Sequence, residues 1–165
     1  MTATARVLPE GRLIFRGEIF RCALGKGGVR ADKNEGDGAT PTGLLPLRRL
    51  LYRADRVAAP ECALRREPIG AEDGWCDDPT HPDYNRQITL PHPARHERLW
   101  RGDALYDVVV PLGWNDAPVV RGRGSAIFLH LARPDYAPTE GCVALSLVDL
   151  RRVLSLGVEA LAVER

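Results

Sequence analysis

Glycine and proline recur along the whole chain, and their density limits the folds that it can adopt. The sequence holds 16 glycines and 13 prolines among 165 residues, and the apolar segments between them are short. Both residue types disfavour helix interiors and are common in turns. The pattern therefore predicts a mainly β fold of short strands, shaped loops and one or two short helices, in a single domain that covers residues 1–165.

Apolar runs bounded by turn residues predict the individual strands. A β-hairpin is predicted over residues 13–24, with its turn at Arg16-Gly17-Glu18. Further strands are predicted over residues 44–52, 105–112, 126–131 and 158–163. Because Pro46 lacks an amide hydrogen, the strand that contains it is expected at a sheet edge. Residues 1–11 show no strand pattern and are expected to form a frayed polar terminus.

One helix is predicted near the carboxyl end of the sequence. Ser146 followed by Asp149 is similar to a capping box, although aspartate replaces the usual glutamate or glutamine. Apolar residues then recur at helical spacing, at Leu147, Leu150, Val153 and Leu154. Gly157 is predicted to end this helix, and a second short helix is predicted over residues 94–101. Residues 53–86 are predicted to be mostly loop, and a loop of that length indicates a functional role.

Charge and hydropathy exclude several functional classes. The 23 basic residues nearly balance the 22 acidic residues, so nothing indicates a nucleic-acid-binding surface. No run of 18 apolar residues occurs, and the sequence therefore predicts no integral membrane segment. The glycine-rich residues 25–28 lack the order of glycines, lysine and hydroxyl residue that a phosphate-binding loop needs, so nucleotide binding is not expected.

The four cysteines contain no CxxC pair, so neither a zinc ribbon nor a thioredoxin-type redox site is indicated. A disulfide among Cys22, Cys62 and Cys76 stays open at this point. Three histidines follow Cys76 at spacings that superficially resemble those of zinc ligands: His81, His92 and His96. Nearby prolines prevent one helix from presenting these side chains together. We therefore interpret them as polar residues of a shaped loop and expect no metal.

His130 and Cys142 form the most informative pair in the sequence. His130 closes an apolar strand, and Cys142 follows Gly141 shortly before the predicted helix. Thiol nucleophilic catalysis requires an imidazole close to a thiol, because the base holds the sulfur as thiolate and later protonates the leaving group. Gly141 lets the N–H groups of Gly141 and Cys142 turn toward a developing oxyanion. The spacing alone leaves open the alternative of a buried structural cysteine.

The sequence around this pair resembles the catalytic segment of the L,D-transpeptidase family, also called the YkuD family. Thr139-Glu140-Gly141-Cys142-Val143 fits the family hallmark, in which a histidine is followed after a gap by Ser/Thr-x-Gly-Cys and an apolar residue. Thr40-Pro41-Thr42-Gly43 is similar to the family's Thr-Pro-x-Gly segment and lies in the expected order. Residues 75–79 and 84–85 look like a feature of a small bacterial subgroup. The similarity is expected to span residues 20–163.

The resemblance implies a β-sandwich of the YkuD type and the activity of a peptidoglycan L,D-transpeptidase. In that activity Cys142 attacks the carbonyl that joins the third residue of a stem peptide to D-alanine, with His130 as its base. D-alanine leaves, and the side-chain amine of a second stem peptide then attacks the thioester to form a 3→3 cross-link. The family implies no metal or organic cofactor, a role in cell wall biogenesis and cell shape, and covalent inhibition by carbapenem β-lactams.

Two departures from the family pattern bear on the substrates. Leu131-Ala132 follow His130 where members often carry Gly-Ser or Gly-Thr, and Ala144 stands where many carry arginine. Both positions lie near substrate in the family, so the resemblance does not fix the preference for donor and acceptor. A hydrolase of the same fold, either an amidase or an L,D-carboxypeptidase, is therefore the first alternative. A non-catalytic wall-binding β module is the second.

Further candidates for the site lie in the predicted loops. Thr139 is expected either to orient its loop through the hydroxyl or to be a simple turn residue. Four residues are candidates for lining a substrate groove, with packing and turn roles as the alternative: Trp75, Tyr84, Asn85 and Asn115. The family implies a periplasmic or cell-envelope location, whereas residues 1–11 contain no apolar segment typical of an export signal. The location stays open between these two interpretations.

Overall fold

The computed structural model describes residues 2–165. Within this range the chain forms fifteen short strands and one helix, α1 (Leu147–Ser155). The strands are, in chain order, β1 (Thr4–Leu8), β2 (Arg12–Phe15), β3 (Glu18–Arg21), β4 (Val29–Arg30), β5 (Thr40–Pro41), β6 (Gly43–Pro46), β7 (Leu50–Tyr52), β8 (Arg66–Pro68), β9 (Asp73–Cys76), β10 (Gln87–Thr89), β11 (His96–Arg98), β12 (Val108–Pro111), β13 (Phe128–Leu131), β14 (Val143–Leu145) and β15 (Ala160–Val163). The mainly β fold class predicted from the sequence is confirmed.

The first sheet has five strands in the order β3-β2-β1-β15-β6. Its β2 and β3 form the predicted hairpin, in which Phe15 pairs with Glu18. Arg16 and Gly17 between them have φ values of 48° and 80°, as a two-residue turn with both residues in the left-handed region requires. The strand that contains Pro46 lies at the edge of this sheet, as predicted.

The second sheet also has five strands, in the order β14-β13-β12-β7-β8. The strands predicted over residues 105–112 and 126–131 correspond to β12 and β13, which pair antiparallel. The single strand predicted over residues 44–52 is in fact two, β6 in the first sheet and β7 in the second. The chain crosses between the sheets at Leu47, whose bridge to Leu112 marks the change of partner.

The two five-stranded sheets form the β-sandwich that the resemblance implies. Side chains of β13 alternate between its faces. Leu129 and Leu131 join the core that the two sheets share with α1, whereas Phe128 belongs to a second apolar cluster on the opposite face. The second sheet is therefore buried on both sides.

A three-stranded sheet, β10-β9-β11, belongs to the layer that covers this opposite face. Residues 94–101 contain β11 and not the predicted helix, because His96 pairs with Cys76 in β9. This pairing satisfies backbone groups through a distant strand, which the local sequence does not reveal. Residues 53–86 hold β8 and β9, so the prediction of a loop there is correct only in part.

The amino-terminal residues form a central strand of the first sheet. β1 lies between β2 and β15, and its Ala5 and Val7 are fully buried. The prediction of a frayed terminus over residues 1–11 is therefore wrong for the part that the structure describes. The strand β1 forms because Ala5 pairs in parallel with Leu161, a contact between opposite ends of the chain that local sequence does not reveal.

Helix α1 confirms the predicted helix. The Ser146 Oγ at its N-cap accepts a hydrogen bond from the Asp149 N–H at 3.2 Å. The buried apolar face consists of Leu150, Val153 and Leu154. Gly157 follows the helix with a φ of 87°, as a glycine at a helix end is expected to do. Among residues 2–165, no helix is both long and apolar enough to cross a lipid bilayer.

Leu129→Ala tests the shared core of the sandwich. Leu129 is fully buried in β13, so its truncation is expected to lower the free energy of unfolding by about 2–5 kcal/mol in urea denaturation. Val148→Ala is the control, because Val148 is 77% exposed on α1 and its truncation is expected to change stability by less than about 0.5 kcal/mol. Equal losses in the two variants would contradict this assignment of the core.

Candidate active site

A cavity of about 390 Å³ opens beside β13 and β14 and contains both His130 and Cys142. The two strands are parallel neighbours, and His130 lies opposite Ala144. Because side chains alternate along an extended chain, Cys142, two residues before Ala144, points to the same face as His130. The pairing of β13 with β14 thus brings together the two residues that the sequence analysis singled out.

The loop before β14 is fixed by hydrogen bonds to the backbone of Cys142. The Cys142 carbonyl accepts hydrogen bonds from the Thr139 hydroxyl at 2.8 Å and the Thr40 hydroxyl at 3.4 Å. Of the two roles considered for Thr139, orientation of the loop is the one seen in the structure. Thr40 belongs to the segment that resembles the family's Thr-Pro-x-Gly motif, so both motifs converge on the same residue.

Gly141 is required by the backbone geometry of this loop. Its φ is 132°, and a Cβ at this position would lie 2.7 Å from the Ala39 carbonyl oxygen. Its N–H donates to the Thr139 hydroxyl at 3.1 Å, so this donor is not free for an oxyanion as predicted. The Cys142 N–H, by contrast, has no hydrogen-bond acceptor within residues 2–165. Of the two predicted oxyanion donors, only the Cys142 N–H is therefore free to accept this role.

The Cys142 thiol is held by the backbone of the facing strand. Its Sγ donates to the Ala126 carbonyl at 3.2 Å and accepts from the Phe128 N–H at 3.4 Å. The His130 Nδ1 donates to the Leu131 carbonyl at 2.9 Å, which leaves Nε2 as the basic nitrogen of the neutral ring. Within the described part of the chain no hydrogen bond joins His130 to Cys142.

Burial keeps both groups neutral at rest. It raises the pKa of the Cys142 thiol to about 12, and the nearby carboxylates of Glu97 and Glu140 act in the same direction. It lowers the pKa of His130 to about 4, although the hydrogen bond to the Leu131 carbonyl opposes this shift. The resting pair is therefore a thiol and a neutral imidazole, not the thiolate and imidazolium expected from the sequence.

Asn85 connects Ala126, a residue of the cavity wall, to the surrounding loops. Its Oδ1 accepts hydrogen bonds from the Trp75 Nε1 and the Ala126 N–H, both at 3.0 Å. Its Nδ2 donates to the carbonyls of Trp114 at 3.1 Å and Asn115 at 2.8 Å. Because the Ala126 carbonyl accepts from the Cys142 thiol, Asn85 positions the nucleophile indirectly.

The other predicted groove residues also have scaffold roles. The Tyr84 hydroxyl donates to Glu35 at 2.6 Å and accepts from the Gly124 N–H at 3.0 Å. The Asn115 side chain binds the backbone of Val120 and Gly124. None of the four candidates lines the cavity that contains Cys142, namely Trp75, Tyr84, Asn85 and Asn115. Trp75 and Asn85 line a second cavity of about 240 Å³, and the polar atoms of the candidates tie loops together, so a role in a substrate groove stays a prediction.

Sequence reasoning missed several charged residues of the cavity wall. Glu97 and Arg101 come from the layer over the second sheet, and Arg133 follows β13. Tyr106 lies beside them, with its ring 5.3 Å from the His130 ring in an edge-on arrangement. No local motif marks these residues, and only the folding of the outer layer onto the second sheet brings them to the site.

The histidine-rich loop forms a hydrogen-bonded cluster. His81, Asp83 and His92 each place one ligand-type atom within 4.8 Å of the others. The Nδ1 of each histidine accepts from the backbone N–H two residues further along, at 3.0 and 3.1 Å. The His92 Nε2 then carries the proton that it donates to Asp83 at 3.0 Å. We interpret this cluster as a set of hydrogen bonds that stabilises the loop.

All four cysteines of the protein are free thiols, so the disulfide left open among Cys22, Cys62 and Cys76 is not present in the structure.

The neutral resting pair predicts the pH dependence of thiol alkylation. Because burial raises the pKa of Cys142 to about 12, its reaction with iodoacetamide is expected to be slow at pH 7 and to accelerate about tenfold per pH unit up to pH 10. His130→Ala is expected to leave the shape of this profile unchanged. Peptide mapping by mass spectrometry identifies the modified cysteine. A plateau below pH 8 that disappears in His130→Ala would instead indicate an ion pair.

Comparison with known families agrees with the fold and with the motifs. Residues 2–157 match the model of the YkuD family, described as the L,D-transpeptidase catalytic domain. The match includes β1 and so begins well before residue 20, where the similarity was expected to start. No curated protein matched the chain. Because the family model covers nearly all of the chain, the protein belongs to the YkuD family of L,D-transpeptidase catalytic domains.

Proposed function

We propose that this protein is a cysteine-dependent peptidoglycan L,D-transpeptidase that forms 3→3 cross-links between stem peptides. The observation that carries the proposal is the convergence at one cavity of the Cys142 thiol, the His130 ring and the unoccupied Cys142 N–H. A nucleophile, a base and an oxyanion donor are the groups that acyl transfer requires. Membership of the YkuD family supplies the enzyme class.

The first half-reaction follows from the neutral state of the pair. A stem peptide places the carbonyl of its third residue against the Cys142 Sγ, and the His130 Nε2 takes the thiol proton as sulfur attacks. The Cys142 N–H receives the negative charge that develops on the carbonyl oxygen. His130 then gives the proton to the departing amine of D-alanine, which leaves a thioester on Cys142 and a neutral imidazole.

Arg133 is suited to bind the carboxylate of the departing D-alanine. It lines the cavity, and its guanidinium has no hydrogen bond or ion pair within residues 2–165. Many members of the family carry arginine at the position of Ala144, and here the cavity has a free guanidinium on the segment that follows His130. An arginine can bind a carboxylate through two parallel hydrogen bonds.

A hydrolase of the same fold is the alternative, and Ala144 in place of arginine is the feature that favours it. The two activities share the thioester and differ in the acceptor, which is an amine in the transferase and water in the hydrolase. A non-catalytic wall-binding module would have no use for a cavity beside Cys142. Because the substrate is peptidoglycan, we propose that the protein acts in the bacterial cell envelope, in cell wall biogenesis and the maintenance of cell shape.

Reaction with a tetrapeptide stem that ends in D-alanine tests the proposed function. Intact-mass analysis is expected to detect a tripeptidyl thioester, and product analysis is expected to detect cross-linked dimers and free D-alanine. A carbapenem is expected to form a covalent adduct with the wild type and with Cys62→Ala, but not with Cys142→Ala. Tripeptide without dimer would support the hydrolase, and an adduct that persists in Cys142→Ala would refute Cys142 as nucleophile.

Arg133→Ala tests the binding of the donor carboxylate. Loss of one charged hydrogen-bonding group at a partly solvated site is expected to slow acylation by the tetrapeptide about tenfold. A tetrapeptide with an amidated carboxyl terminus is expected to react with the wild type and with Arg133→Ala at similar rates. Arg123→Ala is the control, because Arg123 is exposed and lies outside the cavity. Equal slowing with both peptides would contradict this role for Arg133.

A further inference from the structure

Glu97 is a carboxylate in the wall of the cavity that the first half-reaction does not use. It lies in β11, opposite Trp75 of β9, and is only partly accessible to solvent. Its Oε1 accepts a hydrogen bond from the Tyr106 hydroxyl at 2.5 Å. Its Oε2 has no hydrogen-bond partner within residues 2–165, so one oxygen of a largely buried carboxylate is free for a ligand in the cavity.

Tyr106 connects Glu97 to the reacting groups. Its ring is 5.3 Å from the His130 ring and 5.6 Å from the Phe128 ring, in both cases edge-on. Burial is the main cause of the raised pKa of Cys142, and the charge of Glu97 adds to it. Glu97, Tyr106, His130 and Cys142 therefore line one cavity, into which an acceptor that attacks the thioester would have to enter.

Other charged residues line the cavity wall near Glu97, and most of them have partners of their own. Asp77, which directly follows β9, and Glu35 line the same cavity, and the guanidinium of Arg101 is paired with Asp103. Asp77 is paired with Arg95 and Glu35 accepts hydrogen bonds from Tyr84 and Ser125. Glu97 itself has no ion-pair partner within residues 2–165, so its carboxylate can receive a positively charged ligand. An ammonium group meets this requirement, and the acceptor of a cross-linking reaction carries one.

The pKa of Glu97 also lies near neutral pH, where a proton-transfer group is most useful. Burial raises its pKa to about 7, opposed by the Tyr106 hydrogen bond and by Arg101 and supported by Asp77 and Glu35. A general base is most effective when its pKa lies near the working pH. His130, whose pKa is lowered to about 4, is a much weaker base for an ammonium group.

We propose that Glu97 is the general base of the second half-reaction, in which it binds the ammonium group of the acyl acceptor and removes one proton from it. This inference rests on the proposed function, because it requires a thioester on Cys142. The hydrogen bond from the Tyr106 hydroxyl fixes the orientation of the Glu97 carboxylate.

Each proton and each bond of this second half-reaction is accounted for by groups that line the cavity. The ammonium gives one proton to the Glu97 carboxylate, and the free amine attacks the thioester carbonyl, whose oxygen accepts from the Cys142 N–H. The tetrahedral intermediate collapses with cleavage of the C–S bond and formation of an amide. The amide nitrogen loses its second proton to His130, which returns it to the Cys142 thiolate. The proton on Glu97 passes to solvent.

Glu97→Gln separates the two half-reactions. The variant is expected to form the tripeptidyl thioester no more slowly than the wild type, because the Glu97 charge that helps to raise the pKa of Cys142 is removed. It is expected to transfer the tripeptidyl group to an amine acceptor about 100-fold more slowly at pH 7. In the wild type the transfer rate is expected to rise with pH and to level near pH 7. In Glu97→Gln it is expected to rise continuously toward the pKa of the free amine. Glu67→Gln is the control, because Glu67 is a partly buried carboxylate in β8, outside the cavity.

Tyr106→Phe keeps the ring and removes the hydrogen bond to Glu97. Because that bond lowers the pKa of Glu97, its loss is expected to move the inflection of the transfer rate to higher pH. An inflection that stays in place would overturn the assignment, even if Glu97→Gln does not fold.

The outcomes distinguish this inference from the proposed function. Transfer at the wild-type rate in Glu97→Gln would overturn the inference and leave the transpeptidase intact. A wild-type thioester that is only hydrolysed would overturn the inference and favour the hydrolase. Absence of any thioester on Cys142 would overturn both.

Discussion

The parallel pairing of β13 with β14 is the contact on which the candidate site depends. It places His130 opposite Ala144 and so fixes which face Cys142 shares with the imidazole. The loop that leads into β14 adds the second constraint, because the hydroxyls of Thr139 and Thr40 hold the Cys142 carbonyl. The Cys142 N–H, which belongs to the preceding peptide, has no acceptor within residues 2–165. The proposed nucleophile, base and oxyanion donor thus derive from one strand pair and its connecting loop.

Burial of the second sheet on both faces explains the electrostatics of the cavity. Removal of water disfavours every charged form, which raises the pKa values of Cys142 and Glu97 and lowers that of His130. The thiol and imidazole are therefore neutral at rest, and charge develops only when a substrate carbonyl is attacked. Such a site protects its nucleophile from adventitious reaction and relies on the bound substrate to start proton transfer.

The outer layer over the second sheet is part of the site as well as a cover for it. Asn85 links Trp75 in this layer to Ala126, whose carbonyl receives the Cys142 thiol. Glu97 in the same layer brings a carboxylate to the cavity wall. The outer layer therefore contributes Asn85, which supports the loop beside the proposed nucleophile, and the Glu97 carboxylate. The sandwich contributes His130 and Cys142.

The sequence by itself determined the elements whose signals are local. The hairpin turn at Arg16-Gly17, the Ser146 cap of α1 and the His130 and Gly141-Cys142 motifs are readable because a few adjacent residues specify each of them. Contacts between distant segments were not readable. The central position of β1 depends on β15 at the other end of the chain, and β11 exists only through its pairing with β9. The same reason applies to Glu97 and Tyr106, which no motif marks. Protonation at the site was also decided by the tertiary structure, because the pKa values of a thiol and an imidazole depend on how completely the folded chain removes them from water.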